Sequence, residues 1–109
     1  MNTPTFSIII PLYNKERHIQ RAVDSVLHQE YQNFELIIVN DGSTDRSLNA
    51  IHHYEANPKI KIISQENRGV GAARNYGIHQ SQHDYVAFLD ADDYWYPNFL
   101  EEMFLNIEK

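Results

Sequence analysis

The apolar residues of this chain change their spacing several times, and the order of those changes limits what it can fold into. Short apolar runs typical of buried strands occupy residues 6–10, 34–39, 60–63 and 85–89. Between these runs, apolar residues recur about every three or four positions, as on one face of a helix. Strands alternating with helices favour a mainly parallel sheet with helices on both faces. The sequence therefore predicts an α/β fold with three layers, α/β/α, in the order β-α-β-α-β-α-β-α.

Each predicted helix has an apolar face that we expect to pack on the sheet. In chain order these faces hold Ile19, Val23, Val26 and Leu27; Leu48 and Ile51; Val70, Ala73 and Gly77; and Leu100, Met103, Phe104 and Ile107. Asn14 is predicted to cap the first helix and Ser43, Thr44 or Asp45 the second, whereas Pro97 suits the first turn of the last. Residues 60–63 are expected near a sheet edge. Residues 85–89 are expected at its centre, because they are apolar throughout.

Length and charge narrow the classes of protein. The 109 residues suit one domain, and we predict a single unit over residues 1–109. The formal net charge of −6 argues against binding nucleic acid or anionic lipid, since both need a basic surface. The chain has no cysteine, no secretion signal and no apolar run near the ~20 residues of a membrane span. We therefore predict a cytoplasmic location, with the inner face of the membrane as the alternative for a longer gene product.

Three carboxylates directly follow the last apolar run. Asp90, Asp92 and Asp93 lie at the carboxyl end of a predicted strand, where open parallel sheets bind their ligands. Carboxylate oxygens suit Mg²⁺ or Mn²⁺, and these are too few to enclose the ion without water or substrate oxygens. The segment predicts a metal ion that bridges protein and phosphate. The structural alternative is that Asp92 or Asp93 caps the last helix or forms an Asx turn before it.

Polar residues also follow the first and second predicted strands. Tyr13, directed by Pro11, could stack on a planar base, or it could be a tyrosine that covers the core. Asp41 could accept a hydrogen bond from the imide N–H of a uracil or thymine, or it could cap the helix that follows. The isolated residues leave both readings open.

The glycines at positions 69 and 71 suggest a dinucleotide motif, but the motif fails. The third glycine of G-x-G-x-x-G would fall at Arg74, and the first strand has no such loop. What the segment does predict is a flexible start to a helix whose amino end, with Arg74, approaches an anion. A surface salt bridge is the alternative role for Arg74.

Four segments of the chain, in order, resemble the amino-terminal half of family 2 glycosyltransferases. They are SIIIPLYN at 7–14, FELIIVNDGSTD at 34–45, NRG at 67–69 with ARNYG at 73–77, and FLDADD at 88–93. The resemblance implies a GT-A fold, which is Rossmann-like. It also implies a nucleotide-diphosphate-sugar donor, usually a UDP-sugar, inversion at the anomeric carbon, a Mn²⁺ or Mg²⁺ ion, and a saccharide or lipid-linked acceptor.

The resemblance also implies roles for individual residues. Pro11 and Tyr13 would line the base pocket, Asp41 would bind the base imide, and Arg74 would contact the nucleotide. Asp90 would lie near the ribose and the metal, and Asp92 would coordinate the metal that holds the diphosphate.

The same family has its catalytic base and most of its acceptor site in a carboxyl-terminal half. The resemblance therefore implies that the base lies beyond Lys109 and that the chain is a fragment of a longer gene product. We expect this piece to bind donor nucleotide weakly without turnover. We also expect it to form a homodimer through apolar surface that the missing half would cover.

Other classes of protein fit the sequence less well. A signalling receiver domain would need acidic residues after the first strand and a phosphoryl-accepting aspartate after the third, where Ser64 and Gln65 stand. A nucleotidyltransferase would need a glycine-rich loop after the first strand, and a D-x-D phosphatase would need its aspartates there. A catalytically silent module that binds sugar nucleotides stays open as the main alternative.

Overall fold

The computed structural model describes residues 3–108. Strands and helices alternate, and their order is the predicted one, β-α-β-α-β-α-β-α. The elements are β1 (Phe6–Leu12), α1 (Ile19–Leu27), β2 (Phe34–Asp41), α2 (Ser47–Ile51), a 3₁₀ helix (His52–Ala56), β3 (Ile60–Gln65), α3 (Val70–Gln80), β4 (Tyr85–Phe88) and α4 (Phe99–Glu108). No helix in the described range is long and apolar enough to cross a membrane.

The four strands form one sheet in the order β3-β2-β1-β4, and every pairing is parallel. Phe6 pairs with Phe34 on one side and with Tyr85 on the other, so β1 lies between β2 and β4. The predicted α/β fold with a parallel sheet is confirmed. Because all strands run in one direction, their carboxyl ends share one edge. The strand order reverses beside β1, which is where open sheets of this kind bind ligands.

Helices cover both faces of the sheet. Ile8, Ile10 and Leu12 of β1 belong to a core with α1, α2 and α4, whereas Ile9 packs with Ala73 of α3 on the other face. Alternate residues of a strand point to opposite faces, so a strand covered on both sides must be apolar throughout. This explains why all seven residues of β1 are buried.

The position of β4 differs from the prediction. In the sheet of residues 3–108 it is an edge strand paired with β1, and Tyr85 and Phe88 are 42% and 43% exposed. The prediction of a central position is therefore wrong, whereas β3 lies at the opposite edge as expected. An apolar run shows that a strand needs covering. It does not show which element will cover it.

Asn14 does not cap α1. The helix begins after His18, whose side chain makes no capping hydrogen bond. Asn14 instead adopts a left-handed φ of 50°, and its Oδ1 accepts from the N–H groups of Thr44 and Asp45 at 2.7 and 3.2 Å. The loop after β1 is thereby tied to the loop after β2.

Asp45 lies two residues before α2, whose N-cap is Arg46 and has no side-chain capping hydrogen bond, so the predicted cap at Ser43, Thr44 or Asp45 is wrong. Asp45 Oδ1 accepts from the Ser47 N–H at 2.9 Å, and its Oδ2 accepts from the Glu16 N–H at 3.3 Å. Burial raises the pKa of Asp45, but hydrogen bonds from Ser47 and Glu16 outweigh it, so the pKa lies below its ordinary value. The carboxylate thus forms an Asx turn that leads into α2, and it fastens the two loops together.

Two residues predicted on inner helix faces lie outside. Leu48 is 40% exposed because α2 begins at Ser47, and Ser47 and Ile51 take the inner positions one turn apart. Val70 is 53% exposed because it is the first residue of α3, beside the carboxyl ends of the strands. Ala73 and Gly77 are buried as predicted. The predicted cores of α1 and α4 are also buried or half-buried, except for Ile107, which is 36% exposed.

Candidate functional site

A cleft of about 530 Å³ opens at the carboxyl edge of the sheet. This volume falls within the usual range of small-molecule sites, roughly 300–1,000 Å³. Residues from the ends of β1 and β2, from the start of α3 and from the segment after β4 line it. The cleft therefore collects residues that are far apart along the chain.

Pro11 and Tyr13 form the β1 side of the cleft. Pro11 is buried inside β1, and Tyr13 follows the strand with 45% of its surface exposed. The exposed part of the ring can meet a flat ligand, and the half-burial also fits the alternative role of a tyrosine that covers the core, so both readings of Tyr13 stay open.

Asp41 lies at the end of β2 and is almost fully buried, with 2% of its surface exposed. Its Oδ1 accepts from the Arg68 N–H and from Gln65 Nε2, both at 2.8 Å, and its Oδ2 accepts from the Gly69 N–H at 3.0 Å. The alternative role as a cap for the following helix is wrong, because the N-cap of α2 is Arg46 and the carboxylate of Asp41 accepts its hydrogen bonds from residues before α3. Asp41 instead fixes the loop that leads into α3.

Gly42 lets that loop approach closely. Its φ is 68°, and a Cβ atom at this position would lie 2.7 Å from the Asn67 backbone nitrogen. Asn67 Nδ2 also donates to the Asp41 carbonyl at 3.1 Å. A second wall of the cleft is consequently formed by Asn67, Gly69 and Val70. The exposure of Val70 follows from this position.

Asp90 and Asp92 line the cleft, whereas Asp93 does not. Ala91 between them is buried, so the two carboxylates project on the open side of the segment. Asp93 closes a turn: its N–H donates to the Asp90 carbonyl at 3.0 Å, and its Oδ1 accepts from the Tyr94 N–H at 2.9 Å. This last bond runs to the next residue, so Asp93 neither caps α4 nor forms an Asx turn, which would need the N–H two residues on. Asp90 and Asp92 are the two carboxylates of the segment that face the cleft.

Side chains of helix α1 hold the backbone of the acidic segment, residues 90–95, in place. Arg21 Nη2 donates to the Asp92 carbonyl at 3.1 Å, and its guanidinium lies 4.6 Å from the centre of the Tyr94 ring. The Trp95 N–H donates to Ser25 Oγ at 3.1 Å. The backbone that carries Asp92 is therefore anchored, although its carboxylate is exposed.

Arg74 adjoins the cleft without lining it. Its Nη2 lies 3.3 Å from Asp90 Oδ1, and its guanidinium lies 5.7 Å from the centre of the Phe88 ring. Arg74 Nε is buried and has no hydrogen-bond partner among the described residues. The predicted salt-bridge alternative is present, with the site residue Asp90 as its partner.

Lys15 is a site residue that sequence reasoning missed. It lines the cleft, and its Nζ lies 3.7 Å from Asp92 Oδ2. A cationic residue two positions after Tyr13 was the available signal, but only the fold brings it to Asp92. Asn67 and Val70 were also missed, because their place depends on the loop that Asp41 holds.

The acidic residues fit a divalent ion only if a ligand completes the site. Among the described residues, no group of three or more His, Cys, Asp or Glu side chains is arranged to hold a metal. Asp90 and Asp92 nevertheless face one cleft, and the Lys15 ammonium already stands beside Asp92 Oδ2 as a cation. Mg²⁺ typically takes one or two carboxylates plus substrate phosphates and water. The oxygen donors present suit that arrangement.

Comparison with known proteins identifies one family. The sequence model of glycosyl transferase family 2 matches residues 7–109. An uncharacterized glycosyltransferase of Haemophilus influenzae is 44% identical over 96 residues, which make up 86% of this chain and 38% of that protein.

Solved structures give the same result. S. aureus TarS 1-349 in complex with UDP-GlcNAc matches with a TM-score of 0.87 and 31% identity, over 95% of this chain and 31% of that one. The mannosyltransferase PcManGT of Pyrobaculum calidifontis, in complex with GDP-Man and Mn²⁺, matches with a TM-score of 0.83 and 26% identity, over 91% and 31%. The chain spans about a third of the length of these proteins.

Proposed function

Because the chain belongs to glycosyl transferase family 2, we propose that it forms the donor-binding part of a metal-dependent, inverting glycosyltransferase. The donor is a nucleotide-diphosphate-sugar, with UDP as the nucleotide. The observation that carries the proposal is the meeting of Tyr13, Asp41, Asp90 and Asp92 at one cleft. The Rossmann-like GT-A fold and the family, both predicted from the sequence, are confirmed.

The base is proposed to lie between Tyr13 and Asp41, with Pro11 fixing the direction of the chain. A carboxylate offers about four acceptor positions, and Asp41 uses three of them within the protein. The remaining acceptor position of the Asp41 carboxylate is proposed to accept a hydrogen bond from the imide N–H of uracil. Cytosine has no N–H at that ring position, so it would be rejected.

The diphosphate is proposed to lie over Asp90 and Asp92. When bound, Mn²⁺ or Mg²⁺ supplies positive charge that favours departure of the diphosphate. Asp92 would hold the ion, with Asp90 near the ribose and the ion, and Arg74 would reach the nucleotide from beside Asp90. The complex of PcManGT with GDP-Man and Mn²⁺ supports the metal, and the complex of TarS with UDP-GlcNAc supports the UDP-sugar.

The reaction is proposed as a direct displacement. An acceptor hydroxyl loses its proton to a base and attacks the anomeric carbon as the diphosphate leaves, so the configuration inverts. We place the base and the saccharide or lipid-linked acceptor site in the part of the relatives' length that this chain does not span. The predicted base beyond Lys109 lies outside the described residues. Residues 1–109 are then one donor-binding domain that does not turn over alone.

Thermal unfolding with a panel of nucleotides tests donor binding. UDP with Mn²⁺ should raise the melting temperature more than GDP or ADP, because Asp41 is proposed to select uracil and UDP should then bind most tightly. A ligand at one hundred times its Kd stabilises the folded protein by about 2.7 kcal/mol. Chelation of the metal should remove most of the shift. Equal shifts from UDP, GDP and ADP would rule out Asp41 as a reader of the base.

An aspartate pair in the same segment provides the matched comparison. Asp92→Asn should abolish the effect of Mn²⁺ on UDP binding, whereas Asp93→Asn should keep it, since Asp93 lies outside the cleft. Sugar transfer by the 109-residue chain that disappears in Asp92→Asn would refute the proposal that this piece does not turn over.

A further inference from the structure

Lys15 has a fixed backbone and a movable side chain. Its N–H donates to Ser47 Oγ at 2.8 Å, and its carbonyl accepts from the N–H groups of His18 and Ile19 at 3.0 and 2.9 Å. Its side chain, in contrast, is 42% exposed, and within residues 3–108 its ion-pair partner is Asp92, whose side chain is 50% exposed. Exposed ion pairs of this kind are weak, and the flexible four-carbon stem of lysine lets the ammonium move away from Asp92.

The ammonium stands where a divalent ion would bind. Lys15 Nζ is 3.7 Å from Asp92 Oδ2, and a Mg²⁺ ion coordinated by that oxygen would lie about 2.1 Å from it. Two cations this close to one carboxylate oxygen repel each other. Lys15 and the ion therefore compete for Asp92.

We propose that Lys15 is exchanged between Asp92 and the donor diphosphate, an inference that rests on the proposed function. Without ligand, the ammonium neutralises Asp92. When the metal and the diphosphate bind, Lys15 leaves Asp92 and pairs with a diphosphate oxygen. The anchored backbone keeps the ammonium within the cleft during this exchange.

The charges of the cleft explain why the exchange is favourable. Among the described residues, the lining of the cleft has three carboxylates, Asp41, Asp90 and Asp92, and one cation, Lys15. Arg74, beside the cleft, is paired with Asp90. A diphosphate adds further negative charge, which one divalent ion held by these carboxylates does not balance. A lysine released from Asp92 supplies positive charge beside the phosphates, and charge-assisted hydrogen bonds to phosphate are among the stronger ones.

A static salt bridge and an exchange predict different signs when Lys15 is replaced. In Lys15→Met, the exchange model predicts tighter binding of Mn²⁺ alone, by about fivefold, because the competing cation is gone. It predicts weaker binding of UDP at saturating Mn²⁺, also by about fivefold or more, because the phosphate contact is gone. A static bridge that merely orders Asp92 predicts that both affinities fall.

The experiment measures both affinities on the purified protein. The electron paramagnetic resonance signal of free Mn²⁺ reports metal binding, and calorimetry with UDP at saturating Mn²⁺ reports nucleotide binding. Lys61→Met is the matched control, because it removes the same charge from edge strand β3 and Lys61 does not line the cleft. It should leave both affinities unchanged, and Lys15→Arg should keep UDP affinity near that of the unsubstituted protein.

Opposite changes in Lys15→Met, with none in Lys61→Met, support the exchange. Changes in the same direction, or no change, overturn it while leaving the proposed function intact, provided the unsubstituted protein binds UDP. Absence of UDP binding by the unsubstituted protein would overturn the proposed function, and the exchange with it.

Discussion

Asp41 shows how one residue can have a structural and a binding role at the same time. Its buried carboxylate joins the end of β2 to the loop that opens α3, through the N–H groups of Arg68 and Gly69. That loop forms one wall of the cleft. Any change to Asp41 should therefore alter stability as well as nucleotide binding.

We expect Asp41→Asn to lower the free energy of unfolding by about 1–3 kcal/mol. An amide has one acceptor oxygen, so its NH₂ group would face a backbone or side-chain donor and leave that buried donor unpaired. Urea unfolding measures the change, and hydrogen exchange at Arg68 and Gly69 locates it. Asp93→Asn, on the exposed turn, should stay within about 0.5 kcal/mol. Equal stabilities for the two variants would contradict the role given to Asp41.

Tyr54 links the 3₁₀ helix to α1. Its hydroxyl donates to Asp24 Oδ1 at 2.5 Å, and only 8% of the residue is exposed. Burial, this hydrogen bond and the charge of Asp24 raise the pKa of Tyr54 above its ordinary value of 10.0. The neutral phenol is thus favoured in the folded state.

Stability should consequently fall in alkaline solution. Below about pH 10 the phenol is neutral in both states and its contribution is complete; above it the unfolded chain releases the proton first. The free energy of unfolding should drop by up to about 1.4 kcal/mol per pH unit relative to Tyr54→Phe. Urea unfolding of both proteins between pH 8 and about 11 measures the difference. Parallel pH profiles would contradict the assignment.

At the scale of elements, α3 depends on a glycine at its contact with the sheet. A Cβ atom on Gly77 would lie 2.5 Å from Cγ2 of Ile9, whose side chain is buried in central strand β1. Neither the strand nor the helix can move without disturbing the core. The same helix contains Gly71, where a Cβ atom would meet nothing within 4 Å.

These two glycines give a prediction with opposite signs. Gly77→Ala should destabilise the protein by about 1–3 kcal/mol, because it overpacks the core. Gly71→Ala should be neutral or stabilise it by up to about 1 kcal/mol, since alanine is the better helix former. Thermal or urea unfolding of both variants checks this. A stable Gly77→Ala protein would mean that α3 packs less closely on β1.

Much of the fold followed from local patterns, because strand and helix spacing are properties of short segments. The alternation around β1, α1 and α4 predicted their order and inner faces. Contacts between distant segments were not predictable in this way. Asn14 binds the loop after β2, and Lys15 reaches Asp92, through backbone arrangements that no local pattern encodes. On α2, Ile51 is buried as predicted, but Leu48 was misplaced because the helix begins at Ser47.

The site followed from a rule about whole sheets. Parallel strands bring their carboxyl ends to one edge, so Tyr13, Asp41 and Asp92 could be expected to meet there. The roles of these residues toward base, phosphate and metal stay predictions. So does the homodimer, for which exposed Tyr85 and Phe88 on edge strand β4 offer apolar surface.

At the scale of the whole molecule, the proposed function requires that one cleft binds base, ribose and diphosphate together. A crystal structure of the protein with UDP and MnCl₂ tests this most directly. We predict a uracil ring against Tyr13 within hydrogen-bond distance of Asp41, and an ion that joins Asp92 to the diphosphate. A nucleotide bound elsewhere, or bound in this cleft with the ion away from Asp92, would contradict the account.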